Sequence, residues 1–103
     1  MPKFKVMEFT FFFWSNEYHK SGVLEPVHIH VCVGNPSPDA PKWWVGAEKI
    51  SRADDNMNLK SYGIKPSDLK TIERLILKNT ELIIAMWKSH FGADKISFHE
   101  SVR

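Results

Sequence analysis

A single cysteine, Cys32, among 103 residues excludes an internal disulfide and falls short of every cysteine-based zinc pattern. It fits a reducing, cytoplasmic setting. An excess of charge of one sign is also lacking. The net charge is only +2, and no run of Lys and Arg reaches the about five residues of a nucleic-acid or membrane patch, which disfavours strong non-specific DNA binding. No apolar run is long enough to span a bilayer. The opening stretch "MPKFKVMEFTFFFW" is broken by Glu8 and Thr10 and is followed by no small-residue cleavage site, so it reads as a folded strand and not as a signal peptide. A nucleophile elbow, a phosphate-binding glycine loop and a dinucleotide fingerprint are missing, as are internal repeats and low-complexity segments.

What is present suits one globular domain. The chain is 43% hydrophobic and 25% charged, enough apolar surface to offset the entropy of folding around one core. Residues 4–14, rich in Phe, Val and Trp, read as a strand, and "SNEYHKSG" (15–22) as a polar turn. A second strand spans 27–33, a proline-rich loop 34–41, and a third strand 42–50 with a bend at Gly46. Residues 51–63 form an irregular connection with room for one helical turn. Pro66 opens a helix that meets no Gly or further Pro until Gly92, a natural C-terminal stop. The expected fold is α+β: a three- to four-stranded antiparallel meander with one long C-terminal helix packed on a face. Residues 1–92 make the single domain, and 93–103 a loosely ordered tail.

The helix is greasier than one sheet face requires. Leu69, Ile72, Ile76, Ile83 and Trp87 fall on its central stripe. Leu75, Leu82 and Met86 widen one flank; Leu77, Ile84 and Phe91 widen the other. An ordinary surface helix needs an apolar arc of only about 100°. Either the 51–63 connection covers the excess, or a second copy or small partner protein does. Leu77, Ile84 and Phe91 are therefore interface candidates. Trp43 and Trp44 join them, because they alternate across a strand and only one should enter the core.

The residues that could carry chemistry lie in "EPVHIHV" (25–31). On a strand, His28 and His30 point to the same side, about 6.5–7 Å apart. They are the candidate catalytic residues, and with Cys32, two positions further on, the candidate ligands for a divalent transition metal. A third ligand could come from His19, Glu25, Glu48, His90 or His99, with nothing in the sequence to choose among them. The alternative is structural: each imidazole donates one ring N–H to a backbone carbonyl or carboxylate and forms a polar seam on an apolar sheet. Acid–base chemistry on a phosphodiester is a third use of the pair.

Five pieces in order, "FFFWSNE" (11–17), "EPVHIHV" (25–31), "KWWV" (42–45), "SYGI" (61–64) and "AMWKSHFG" (85–92), resemble a small bacterial family known as domain of unknown function 4160. The resemblance covers about residues 9 to 92. It implies a compact α+β protein, encoded beside another small protein in the manner of a toxin–antitoxin-like pair. It implies no activity, cofactor or catalytic residue. The chain departs from the family pattern in the extra "YHKSGVL" (18–24), in Lys65 where a Ser N-cap is usual, and in His90 where an aromatic such as Tyr is common. Three functions follow as expectations: an interaction module that binds itself or a small partner encoded nearby; a small hydrolase or nuclease centred on His28 and His30; and a DNA-binding autoregulator, the least compatible with the charge.

Overall fold

A computed structural model describes residues 1–18 and 22–103. Its sheet is an antiparallel meander in which each strand pairs with the next, in the order β1 (Lys3–Val6), β2 (Phe9–Phe12), β3 (His28–Val33), β4 (Lys42–Val45) and β5 (Ile50–Arg52). The α+β class holds, but the sheet has five strands where three or four were expected. Both additions come from tight turns. The first apolar run folds back at Met7-Glu8, so that Val6 pairs with Phe9, with Met7 in the left-handed region at φ 57°. This turn has no Gly or Asn to announce it. The second turn follows Gly46, whose N–H donates to the carbonyl of Lys49, so what reads as one bent strand is a β4–β5 hairpin.

Helix α1 (Leu69–Lys78) and helix α2 (Thr80–Phe91) replace the single long helix. The break is at Asn79, at φ −116° and ψ 17°, whose side-chain amide donates to the carbonyl of Leu75 at 2.7 Å. An Asn side chain that competes for backbone partners in this way bends a helix. Thr80 Oγ1 then donates to the carbonyl of Ala47, fixing the start of α2 on the β4–β5 turn. Gly92, at φ 107°, ends α2 as expected. Among the described residues, no helix is long and apolar enough to cross a membrane.

The two sheet faces have different cover. Phe9, Phe11, Ile29, Val31, Trp43 and Val45 form the main core with Ile72 and Ile76 of α1 and Ile83 and Trp87 of α2. Trp43 is thus wholly buried and is not an interface residue; its indole N–H donates to Glu73 of α1 at 2.9 Å. The same carboxylate accepts two bonds from Arg52 of β5, at 2.8 and 3.0 Å. On the other face Phe12, Cys32 and Ala40 form a smaller cluster beneath Trp14.

The expected loose tail is instead packed on the sheet. The carbonyl of Ser97 accepts from Val27 N–H, the His99 ring stacks on Trp44 with centroids 4.4 Å apart, and Val102 is buried. A β-carbon at Gly46 would run into the carbonyl oxygen of Val102, so the absence of a side chain there lets the tail come this close.

Candidate functional site

His28 and His30 lie in extended backbone at the start of β3, on the same face as Phe12 and Cys32, with the His28 ring at the sheet end where it also reaches Trp87 of the main core. Their register partners are Trp44 and Lys42 on β4, and Phe12 on β2 stands opposite His30. The His30 ring stacks on Phe12 at 5.3 Å, and the His28 ring meets Trp44 and Trp87 edge-on at 5.7 and 5.0 Å. Both histidines are buried, at 0% and 6% exposure.

Each imidazole is oriented by a backbone carbonyl. His28 Nδ1 lies 2.9 Å from the carbonyl oxygen of Pro26, and His30 Nδ1 lies 3.0 Å from that of Ala40. A carbonyl oxygen can only accept, so the ring proton is on Nδ1 in both residues. Both Nε2 atoms are thereby turned toward the same third residue, Glu17.

Glu17 sits in the loop after β2 and is only 6% exposed. Its Oε1 accepts the backbone N–H of Trp14 at 2.8 Å, and its own carbonyl accepts from Glu25 N–H. His90 of α2 fastens the same loop through a bond from Nε2 to the carbonyl of Ser15. The carboxylate so placed lies 3.0 Å from His28 Nε2 through Oε2 and 3.6 Å from His30 Nε2 through Oε1. The shorter contact is oblique: it brings charge close without supplying a hydrogen bond, and His28 Nε2 is left buried with no hydrogen-bond partner. Burial alone would raise the Glu17 carboxyl, but the two imidazoles when a proton is on Nε2, together with the Trp14 N–H, outweigh it and hold it well below the usual carboxylate range.

The electrostatics of this group are demanding. With the ring protons on Nδ1, two nitrogen lone pairs and an ionised carboxylate converge in a buried space, their ligand atoms within 4.8 Å of one another. Electron-rich atoms so placed repel unless a positive charge lies among them, either a proton on Nε2 or a metal ion. The arrangement is suited to holding a cation.

The other residues singled out from the sequence do not join it. Cys32 shares the face, but its thiol points at the carbonyls of Gly34 and Asn35, 3.6 Å from each, and burial pushes its pKa up. Glu25 pairs with Lys42 at 3.1 Å, and Glu48 is exposed on the β4–β5 turn. His90 holds the Ser15 loop, His99 lies on Trp44, and His19 is outside the described residues. Of the interface candidates, Leu77 is exposed, while Ile84, Phe91 and Trp44 are half-buried. Phe91 packs on Phe13 and Trp87, and Lys42 Nζ lies 4.5 Å from the Trp44 ring centroid.

Glu17 itself is absent from the sequence-based ligand candidates. The signal for it lies in strand pairing: if 9–14 runs antiparallel to 27–33, the start of their connection lies beside the start of the second strand, within reach of His28. The family model described as a domain of unknown function, DUF4160, matches residues 9–88, which include all three members of the cluster. No curated protein and no solved structure matches the chain.

Proposed function

The chain belongs to the DUF4160 family, whose description gives no activity, and we propose from its own surface that it is a protein–protein interaction module. The observation that carries this is the outer side of α2. Ala85 lies between two shallow grooves of about 420 and 470 Å3. The first is lined by Met86, Ser89, His90 and Pro2; the second by Ile84, Glu81, Lys88 and the β4–β5 turn residues Ala47 and Glu48. A low crest with a furrow on each side is the shape into which a partner helix sets its ridges. Leu82, one turn before Met86, is 44% exposed, and Leu77 at the end of α1 is 47% exposed. Exposed leucines taken singly need no explanation, but Leu82 lies on the same flank as Met86 of the first groove, and the grooves mix apolar Ala85, Met86 and Ile84 with polar Glu81, Lys88 and Ser89.

The occupant is a second copy of the chain or a small partner protein, as in a toxin–antitoxin-like pair. Hydrolysis at His28 and His30 has less support, because a substrate would have to reach two imidazoles with 0% and 6% exposure. DNA binding has less again, given a net charge of +2.

Light scattering on the chromatographed chain, alone and co-expressed with the product of the adjacent gene, provides the test. We expect either a dimer or a stable complex, and Leu82→Asp or Ala85→Arg should dissociate it while leaving the fold intact by circular dichroism. A strict monomer that also fails to co-purify with the adjacent product would overturn the proposal.

A further inference from the structure

We propose that Glu17, His28 and His30 form a binding site for one divalent transition metal ion, best matched by zinc, which ties the loop after β2 to strand β3. Three features of the cluster support a metal.

The first is separation. Zinc binds His nitrogen and carboxylate oxygen at about 2.0–2.2 Å, so two ligand atoms on a tetrahedral ion stand about 3.3 Å apart. Here the two imidazole nitrogens lie 3.0 and 3.6 Å from the two carboxylate oxygens, and one atom from each residue falls within 4.8 Å of the others, close enough to draw in around one ion. The 3.0 Å contact is also within reach of an ordinary N–H···O bond, but the 3.6 Å separation is too long for one, so a hydrogen-bonded pair accounts for His28 and not for His30. The second is orientation. Both Nδ1 atoms are engaged by backbone carbonyls, and Glu17 Oε1 accepts the Trp14 N–H; outer bonds of this kind fix the tautomer and aim the ligand atoms at metal sites. The third is burial: Glu17, His28 and His30 are all shut off from water, so whatever balances their charge and lone pairs must lie within the cluster.

The donor set narrows the ion. Two imidazoles and a carboxylate suit zinc or iron, whereas calcium and magnesium prefer all-oxygen surroundings. An iron site of this composition keeps several open positions for exogenous ligands. With Phe12, Trp44 and Trp87 against the two imidazoles, four-coordinate zinc needs the least extra room. The remaining position goes to one water or to the second Glu17 oxygen, because the Cys32 thiol is turned to the carbonyls of Gly34 and Asn35.

Untagged protein, stripped with a chelator and titrated calorimetrically with zinc, should take up one equivalent per chain. Cobalt(II) in its place should give the intense visible absorption of a tetrahedral site. The thermal midpoint should rise with zinc and fall with chelator, as required of any ligand that binds only the folded state. Glu17→Gln and His30→Gln should each weaken zinc at least about tenfold, while His99→Gln should leave both stoichiometry and affinity unchanged. A folded, stripped chain that takes up neither zinc nor cobalt overturns the proposal, as does uptake insensitive to Glu17→Gln and His30→Gln or lost with His99→Gln. Should the cluster variants fail to fold, wild-type stoichiometry and the cobalt spectrum still decide. None of these readouts depends on a partner or on the oligomeric state.

Discussion

His90 Nε2 donates to the carbonyl oxygen of Ser15 at 3.0 Å, joining α2 to the loop that presents Glu17, across 75 positions of sequence. The bond is exposed, so water can replace it in part. His90→Ala should therefore cost about 1 kcal/mol in urea unfolding. The more telling effect should be local: the Trp14 amide, which donates to Glu17, should exchange its hydrogen faster in the variant than in the parent. Unchanged exchange there would mean that α2 does not order this loop.

Removing the Glu17 carboxylate has a larger expected cost. Glu17→Ala leaves the Trp14 N–H without its acceptor and two buried imidazoles with no group facing Nε2, which costs about 1–3 kcal/mol. Glu17→Gln keeps the volume and offers an N–H to one imidazole, so it should cost less. Equal destabilisation by the two, measured by urea denaturation, would indicate that the site needs only bulk.

Glu73 supplies the acid dependence of the helix–sheet contact. Bonds from Arg52 hold its carboxyl below the ordinary value of 4.5, against an upward push from burial and with help from the Trp43 N–H. A carboxyl depressed in the folded state contributes stability that is fully present above 4.5 and is lost as pH falls through its folded value. Because the Arg52 side chain is 41% exposed, solvent screening limits the pair to about 1 kcal/mol. Stability curves of the parent and Glu73→Gln should differ near neutral pH and converge in acid. A constant offset at every pH would contradict this.

The packed tail can be tested at Gly46. A methyl group there collides with the Val102 carbonyl, so Gly46→Ala should either cost about 1–3 kcal/mol or lift the tail from the sheet. Limited proteolysis distinguishes the two, since a lifted tail is cut after Ser97 while the parent tail resists.

These particulars show where the sequence was informative. The stripe formed by Ile72, Ile76, Ile83 and Trp87 is legible because helical periodicity and burial agree, and all four are buried. Likewise, His28 and His30 share a face because strand geometry allows little else. The Met7-Glu8 turn is not legible, because its residues lack the usual turn chemistry and only pairing in the folded sheet stabilises φ 57° at Met7. Asn79 is a tolerable helix residue on propensity alone; the break shows only once its side chain takes the Leu75 carbonyl and Thr80 reaches Ala47 on the β4–β5 turn. Glu17 looks like one more solvated residue in a polar turn until β2 and β3 are placed side by side.

Ring-nitrogen NMR of His28 and His30 tests the central geometry most directly. Nitrogen shifts and long-range couplings should show the proton on Nδ1 in both rings, with Nε2 directed at Glu17 and shifting when zinc is added. Rings that carry the proton on Nε2 and leave Nδ1 bare would contradict the account, because the carbonyls of Pro26 and Ala40 could then not be what orients them.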